Sequence, residues 1–326
     1  MRSVAPSEGN VTILSIDQLP ALAGRDFLDV ADLSADEIRG LLALAAEIKA
    51  GRWRGSPLAG RHLAMVFQKP SMRTRVSFEV AIGRLGGTPI TLSDVEIGLG
   101  RREKVSDVGR VLAGYTAGIV ARLFSHGDLL ELAEAADKPV VNALTDRSHP
   151  CQVLADLLTI REALGGLEGR RLAFVGDGNN VASSLIEAAA LLQLSLTVVT
   201  PLRHFPPAEV LDRARHLAAG KSFNVEVTSD LSALEGVDAV YTDVWTSMGQ
   251  EAETEARRRE FAEYQVNEEL MALAPGAIFM HCLPAHRGEE VAAGVIDGPR
   301  SVVFDQAENR LYAQMALLAS IFRPEP

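Results

Sequence analysis

Cysteine occurs only twice in the chain, at Cys151 and Cys282, and never as Cys-x-x-Cys. That leaves no disulfide framework and fits a reducing compartment, so a cytoplasmic location is expected. Basic residues are in deficit: 32 Lys and Arg against 43 Asp and Glu give a net charge of −11. A surface that works by neutralising many phosphates is excluded, and neither nucleic acid nor an acidic membrane is expected as a partner. Long apolar runs are missing too. No stretch reaches the roughly 18 uninterrupted apolar residues of a membrane span. The N-terminal "VTILSIDQLPALAG" is broken by Asp17 and Pro20 and lacks the basic lead of a secretory signal. There is no fixed-period repeat and no low-complexity tract.

What is present is 326 residues, 47% of them hydrophobic, enough for two cores. "LSADEIRGLLALAAEIKAG" predicts a helix opened by a Ser34/Glu37 capping box and stopped at Gly51. "HLAMVFQ" reads as a buried strand. "VSFEVAIGRLGG" places Phe78, Ala81, Ile82 and Leu85 on one helical face, and "TPITLS" (88–93) is the next strand. Strand, helix, strand implies a parallel sheet, and the pattern continues through "TAGIVARLF", "GDLLELAEAA" and "KPVVNAL". A helix with Pro150 in its first position and Gly165-Gly166 behind it carries the domain junction. Beyond it, "RLAFVGDGNN", "LSLTVVTP", "VDAVYTDVW" and "GAIFMHCLP" predict a second set of strands, and "ENRLYAQMALLASIF" a final amphipathic helix. The fold class is α/β: two doubly wound parallel-sheet domains joined by interdomain helices, residues 1–150 and 151–305, with a C-terminal helix (306–326) packing back on the first. The charge-dense "EAETEARRREFAEYQ" reads as a solvated helix face.

Four stretches can carry chemistry. "KPSMRTR" lies between a strand end and a helix start, where free backbone N–H groups and the helix dipole favour an anion. Arg73 adds a bidentate grip, and the Ser71 and Thr74 hydroxyls add donors. A Ser-capped helix with surface arginines would use the same residues. The glycines of a P-loop are missing. "RSHPCQ" sets His149 before a helix and Gln152 in its first turn, where the imidazole could polarise a carbonyl and the amide could meet a carbonyl or an amino group. "FMHCLPAHRGEE" brings Cys282 to a strand's carboxyl end, the ligand edge of an open α/β sheet, although a small buried thiol is equally plain chemistry. With neither Cys-x-x-Cys nor His-Glu-x-x-His spacing, no metal is expected. "TDVWTSMGQE" places Asp243 and Ser247 where they could grip an ammonium, or where Asp243 could cap a helix. "GDGNN" departs from the dinucleotide fingerprint at Val181 and at Thr200-Pro201, so no dinucleotide is expected.

In this order, these stretches resemble the transcarbamoylase family over essentially the whole chain. "SMRTR" is similar to its carbamoyl-phosphate motif, usually Ser-Thr-Arg-Thr-Arg, with Met72 replacing a Thr and removing one hydroxyl donor. "HPCQ" is similar to its carbonyl-side motif, and "DVWTSMGQE" and "HCLPAHRGEEV" resemble the ornithine-specific branch. The resemblance implies roles. Ser71, the Met72 backbone, Arg73 and Thr74 hold the phosphate, and Arg122, His149 and Gln152 meet the carbamoyl group. Arg310 closes the site from the last helix. Asn180 takes the ornithine α-carboxylate, Asp243 and Ser247 its α-ammonium, with Met248 contributing backbone, and Cys282 with the Leu283 carbonyl the δ-amine. Arg122, His149, Asp243 and Cys282 would be the catalytic set. It further implies no cofactor, a homotrimer or a multiple of one, and a neighbouring-subunit loop at "VEIGLGRREKVSD". A transcarbamoylase for another amine, or a silent binding relative, remains the alternative.

Overall fold

The computed structural model describes residues 20–218, 220–246 and 251–323. Its first half runs α1 (Ala35–Lys49), β1 (His62–Phe67), α2 (Met72–Arg84), β2 (Thr88–Ser93), α3 (Asp94–Ile97), α4 (Val105–Tyr115), β3 (Gly118–Arg122), α5 (His126–Ala135) and β4 (Val140–Leu144). The strands form one parallel sheet in the order β2-β1-β3-β4. Helix α6 (Pro150–Leu164) leads into β5 (Arg171–Val175), α7 (Asn180–Leu192), β6 (Ser195–Val199), α8 (Ala208–Leu217), β7 (Val225–Thr228), β8 (Ala239–Thr242), α9 (Thr254–Glu260), α10 (Glu268–Ala272), β9 (Ile278–His281), α11 (Ala293–Ile296) and α12 (Val303–Ile321). These five strands form a second parallel sheet, β7-β6-β5-β8-β9.

The local reasons are legible. Ser34 Oγ accepts the Glu37 N–H at 3.2 Å while the Glu37 carboxylate accepts the Ser34 N–H at 2.7 Å, the reciprocal cap expected of α1. β1, β3 and β4 are buried from Leu63, Gly118 and Val140 to their ends, because helices cover both faces of a parallel sheet. Helix α6 is buried continuously from Pro150 to Ile160, so it has no solvent stripe to read as amphipathic. It packs against α1, α7 and α12. Helix α12 in turn packs on α1, α2 and α6, with Ala316 to Ala319 fully buried. One apolar cluster runs through α1, α6, α7 and α12, linking the two halves. Each buried Leu of that seam contributes about 1.5–3 kcal/mol.

Four readings of the sequence are corrected. Helix α2 starts at Met72, four residues before the apolar periodicity, because Ser71 caps it with Oγ accepting the Thr74 N–H at 3.3 Å. β7 escaped notice because it is a four-residue, half-exposed edge strand. Helix α4 was missed although Val105, Val108 and Leu112 have helical spacing; Lys104 at its start gives no side-chain cap to announce it. The segment "VEIGLGRREKVSD" accordingly holds the end of α3, a turn and the start of α4. Finally, α9 is not wholly a solvated face. Arg257 is buried, donating from Nε to the Trp245 carbonyl at 2.6 Å and pairing with Asp177.

Candidate functional site

In each sheet the chain reverses direction at a switch point, β1/β3 in the first and β5/β8 in the second, and ligands of open α/β sheets bind outside the carboxyl ends of such strands. The segments leaving β1, β3, β5, β8 and β9 there face one cavity of about 420 Å³. Ser71, Met72, Arg73, Thr74, Arg122, His149, Asn180, Asp243, Cys282, Leu283 and Arg310 all line it. Residues separated by 239 positions thus share one space.

The first-sheet wall is cationic. Thr74, fully buried in the first turn of α2, accepts from Arg310 Nη2 at 2.7 Å and from Ser71 Oγ at 3.0 Å, with Arg122 Nη1 at 3.5 Å. One hydroxyl therefore gathers the helix start, a strand end and the last helix. Burial, reinforced by Arg310, pushes the Arg122 guanidinium down to about 10, and burial lowers Arg310 and Arg73 as well. All three stay charged at neutral pH, and the Nε atoms of Arg122 and Arg310 are buried without a partner among the described residues. Clustered guanidiniums with unused donors favour an anion with several oxygens. Met72 is two-thirds exposed, its side chain contributing no polar atom.

His149 sits at the N-cap of α6 and is 5% exposed. Its backbone N–H donates to Ser184 Oγ at 2.9 Å, and Nδ1 has no partner among the described residues. Burial first, then Arg310 and Arg122, hold its pKa well below 6.5. The neutral ring can donate a hydrogen bond to a carbonyl but is a poor proton acid. Gln152 does not line the cavity. It lies beneath, 1% exposed, with Nε2 donating to Asp156 Oδ1 at 2.8 Å and Oε1 without a partner among the described residues.

The second-sheet wall is anionic and sulfur-bearing. Asp243, just past β8, accepts from the Cys282 thiol at 2.9 Å on Oδ1 and from Asn179 Nδ2 at 2.8 Å on Oδ2. Burial, then the Asp243 carboxylate, push Cys282 well above 9, so sulfur is a neutral thiol and not a nucleophile at pH 7. Leu283 holds a left-handed φ of 58° ahead of a cis Leu283–Pro284 bond. His281 Nδ1 accepts the Leu283 N–H at 2.9 Å, and its Nε2 lies 3.2 Å from Glu290. Asp243, His281 and Cys282 are close enough to share a cation, but both ring nitrogens of His281 are already committed. Asn180 Nδ2 donates to the Thr145 carbonyl at 2.5 Å. Ser247 and Met248 lie outside the described residues.

Sequence reasoning did not select Lys69, Thr246 or His286, which also line the cavity. Lys69 was quoted but could not be chosen, because only the fold shows it buried, with Nζ 4.8 Å from the Phe124 ring centre. A wider recess of about 1030 Å³ adjoins, sharing Lys69 and Asn180. The "GDGNN" turn serves packing: a Cβ on Gly178 would come within 2.4 Å of Pro206 N, a close approach that only glycine permits.

The family description "Aspartate/ornithine carbamoyltransferase, carbamoyl-P binding domain" matches residues 25–162, and its "Asp/Orn binding domain" matches residues 168–321. The chain is 54% identical over 298 residues to the ornithine carbamoyltransferase of Acidothermus cellulolyticus, covering 90% of this chain and 96% of that one. It is 51% identical over 295 residues to that of Methanobrevibacter smithii, covering 90% and 98%. The ornithine carbamoyltransferase structure from Pyrococcus furiosus superposes with a TM-score of 0.89 at 48% identity, covering 93% and 98%.

Proposed function

The chain belongs to the aspartate/ornithine carbamoyltransferase family, and on that premise we propose that its cavity moves the carbamoyl group of carbamoyl phosphate to the δ-amine of L-ornithine, giving L-citrulline and phosphate. The observation that carries this reading is the pairing of opposed walls in one cavity: the guanidiniums of Arg73, Arg122 and Arg310 on one side, the last two meeting at Thr74, and the Asp243–Cys282 pair on the other.

On the donor side, the α2 N-terminus with Ser71, the Met72 backbone, Arg73, Thr74 and Arg310 holds the phosphate. Arg122 and neutral His149 point donors at the carbonyl oxygen. Gln152 Nε2 gives one hydrogen to Asp156, and Oε1, an acceptor, is the amide atom without a partner among the described residues; that favours the carbamoyl N–H2 over its carbonyl. On the acceptor side, Asp243 takes the α-ammonium together with Ser247 and the Met248 backbone, and Cys282 with the Leu283 carbonyl positions the δ-amine. Asn180 Nδ2 gives one hydrogen to the Thr145 carbonyl and keeps a second with which to receive the α-carboxylate.

The neutral δ-amine attacks the carbonyl carbon, the tetrahedral oxyanion forms against Arg122 and His149, and the C–O bond to phosphate breaks as the amine loses a proton. Donors aimed at that oxyanion are worth about 2.7–4 kcal/mol each. A free alkyl amine titrates near roughly 10.4, so it must shed its proton before attack; a wall with a carboxylate and a partly buried thiol is where that proton is handled. Two substrates held between two lobes supply proximity, and their closure excludes water.

The division is placed at 150/151, with 306–326 rejoining 1–150, supported by β1–β4 preceding it and β5–β9 following it. The working form is a homotrimer or a multiple of one. Exposed Val76, Val80, Ile90 and Val95 on and beside the edge strand β2 support a subunit contact there, and light scattering tests it. A cytoplasmic site and a role in arginine biosynthesis accompany the reading; both cysteines are free, and no helix among the described residues is long and apolar enough to cross a membrane. Incubation with carbamoyl phosphate and a panel of amines should yield citrulline from ornithine and little from the others. Citrulline missing from the ornithine tube overturns the assignment.

A further inference from the structure

We infer that Asp156 is a positioning residue: it fixes the Gln152 amide so that Oε1 faces the donor's N–H2, and thereby gives the site its discrimination between a carbamoyl group and an acyl group of the same shape. The inference rests on the reading of Gln152 above and deepens it.

The starting point is a donor whose polarity is unambiguous. The backbone N–H of His281 donates to Gln306 Oε1 at 2.9 Å. That fixes which end of the Gln306 amide is oxygen, so its Nε2, 2.7 Å from Asp156 Oδ1, is the donor there. Oδ1 is then an acceptor in either protonation state, since a proton on the carboxyl would have to reside on Oδ2. The Gln152 nitrogen, 2.8 Å from the same Oδ1, must therefore be Nε2. A flipped Gln152 would set oxygen against oxygen. Each link is buried: Gln152 is 1% exposed, and Asp156 and Gln306 are wholly buried, where leaving a polar atom unmatched is costly. Burial raises Asp156 to about 7, and Oδ1 accepts from both amides in either form.

The chain of contacts runs from β9 through α12 to α6, and so from the residue before Cys282 to the residue beneath the donor site. Gln152 Oε1 is left buried and without a partner among the described residues, an acceptor that a ligand's donor would satisfy. A carbamoyl N–H2 can do so. A methyl group in its place cannot, and sites built around a hydrogen bond reject the analogue that lacks it.

Acetyl phosphate is the probe, a competitor that differs from carbamoyl phosphate by methyl for amino. The ratio of its inhibition constant to the KM of carbamoyl phosphate measures the discrimination. Asp156→Leu, which has no acceptor, is expected to lower that ratio about tenfold while inhibition by inorganic phosphate changes less than about twofold. Asp156→Asn, which keeps an oxygen at Oδ1, should retain the ratio. If Asp156→Leu does not fold, Gln306→Met, which removes what fixes Oδ1 as an acceptor, should lower the ratio about threefold. Carbamoyl phosphate, acetyl phosphate and inorganic phosphate weakening together would overturn the inference, as would Asn failing to rescue. Gln152→Ala separates the two levels. Loss of the ratio in Gln152→Ala but not in Asp156→Leu overturns the inference alone. An unchanged ratio in Gln152→Ala overturns the reading of Gln152 as well.

Discussion

At the ends of β1 and β3, burial acts on cations; at the ends of β8 and β9 it acts on acids. Arg122 is driven down to about 10 and stays charged, and His149 is driven down and becomes neutral. Cys282 is driven up and stays neutral beside Asp243. Desolvation opposes charge on both walls, yet the group's intrinsic proton affinity decides which charges survive at pH 7. Guanidiniums survive because they start so high. The first wall is left with fixed positive charge and the second with an uncharged thiol beside a carboxylate.

Breaking the cationic wall should have the largest effect. Arg122→Met is expected to lower kcat by roughly 10²–10³-fold in steady-state citrulline assays, the cost of one lost oxyanion donor. Removing charge from the other wall comes next. Asp243→Asn should raise the KM for ornithine tenfold or more with little change in inhibition by phosphate. It should also lower the Cys282 pKa, because the neighbouring carboxylate helps hold it up. Iodoacetamide would then label Cys282 faster at pH 8 than in the wild type, while Cys151, pushed up to about 12 by burial, stays silent in both.

A third, smaller effect sharpens the contrast through pH. His149 is neutral when folded and binds a proton when unfolded below about 6.5, so the unfolded state holds more protons and stability falls as pH drops from 7 to 5. Urea unfolding across that range should show a shallower decline for His149→Gln. The smallest effect compares two caps. Ser34→Ala and Ser71→Ala should each cost about 1 kcal/mol in unfolding, but only Ser71→Ala should weaken phosphate inhibition.

Legibility along the chain followed locality. The α1 cap, the buried strands β1, β3 and β4, and the Pro150 start of α6 are set by neighbours a few residues apart, and they stood where periodicity and capping placed them. β7 and α4 were missed because one is a short edge strand and the other opens without a side-chain cap. Arg257 looked solvated because nothing near it in sequence announces Asp177, 80 residues away. The "SMRTR", "HPCQ" and "HCLP" stretches were visible as chemistry, but Asp156 and Gln306 were not. A polar residue inside an apolar helix reads as an interruption until its partner on another helix is known.

Side-chain chemistry and spacings of a few residues are enough to set the alternation of strands and helices, the lack of net positive charge and the residue types capable of holding an anion and an amine. That Thr74, Arg122 and Arg310 meet at one hydroxyl, that Cys282 faces Asp243, and which way the Gln152 amide points were settled by packing. Those outcomes depend on burial and on contacts across up to 236 positions, where desolvation sets protonation and hydrogen-bond polarity, and neither quantity exists until the lobes have packed.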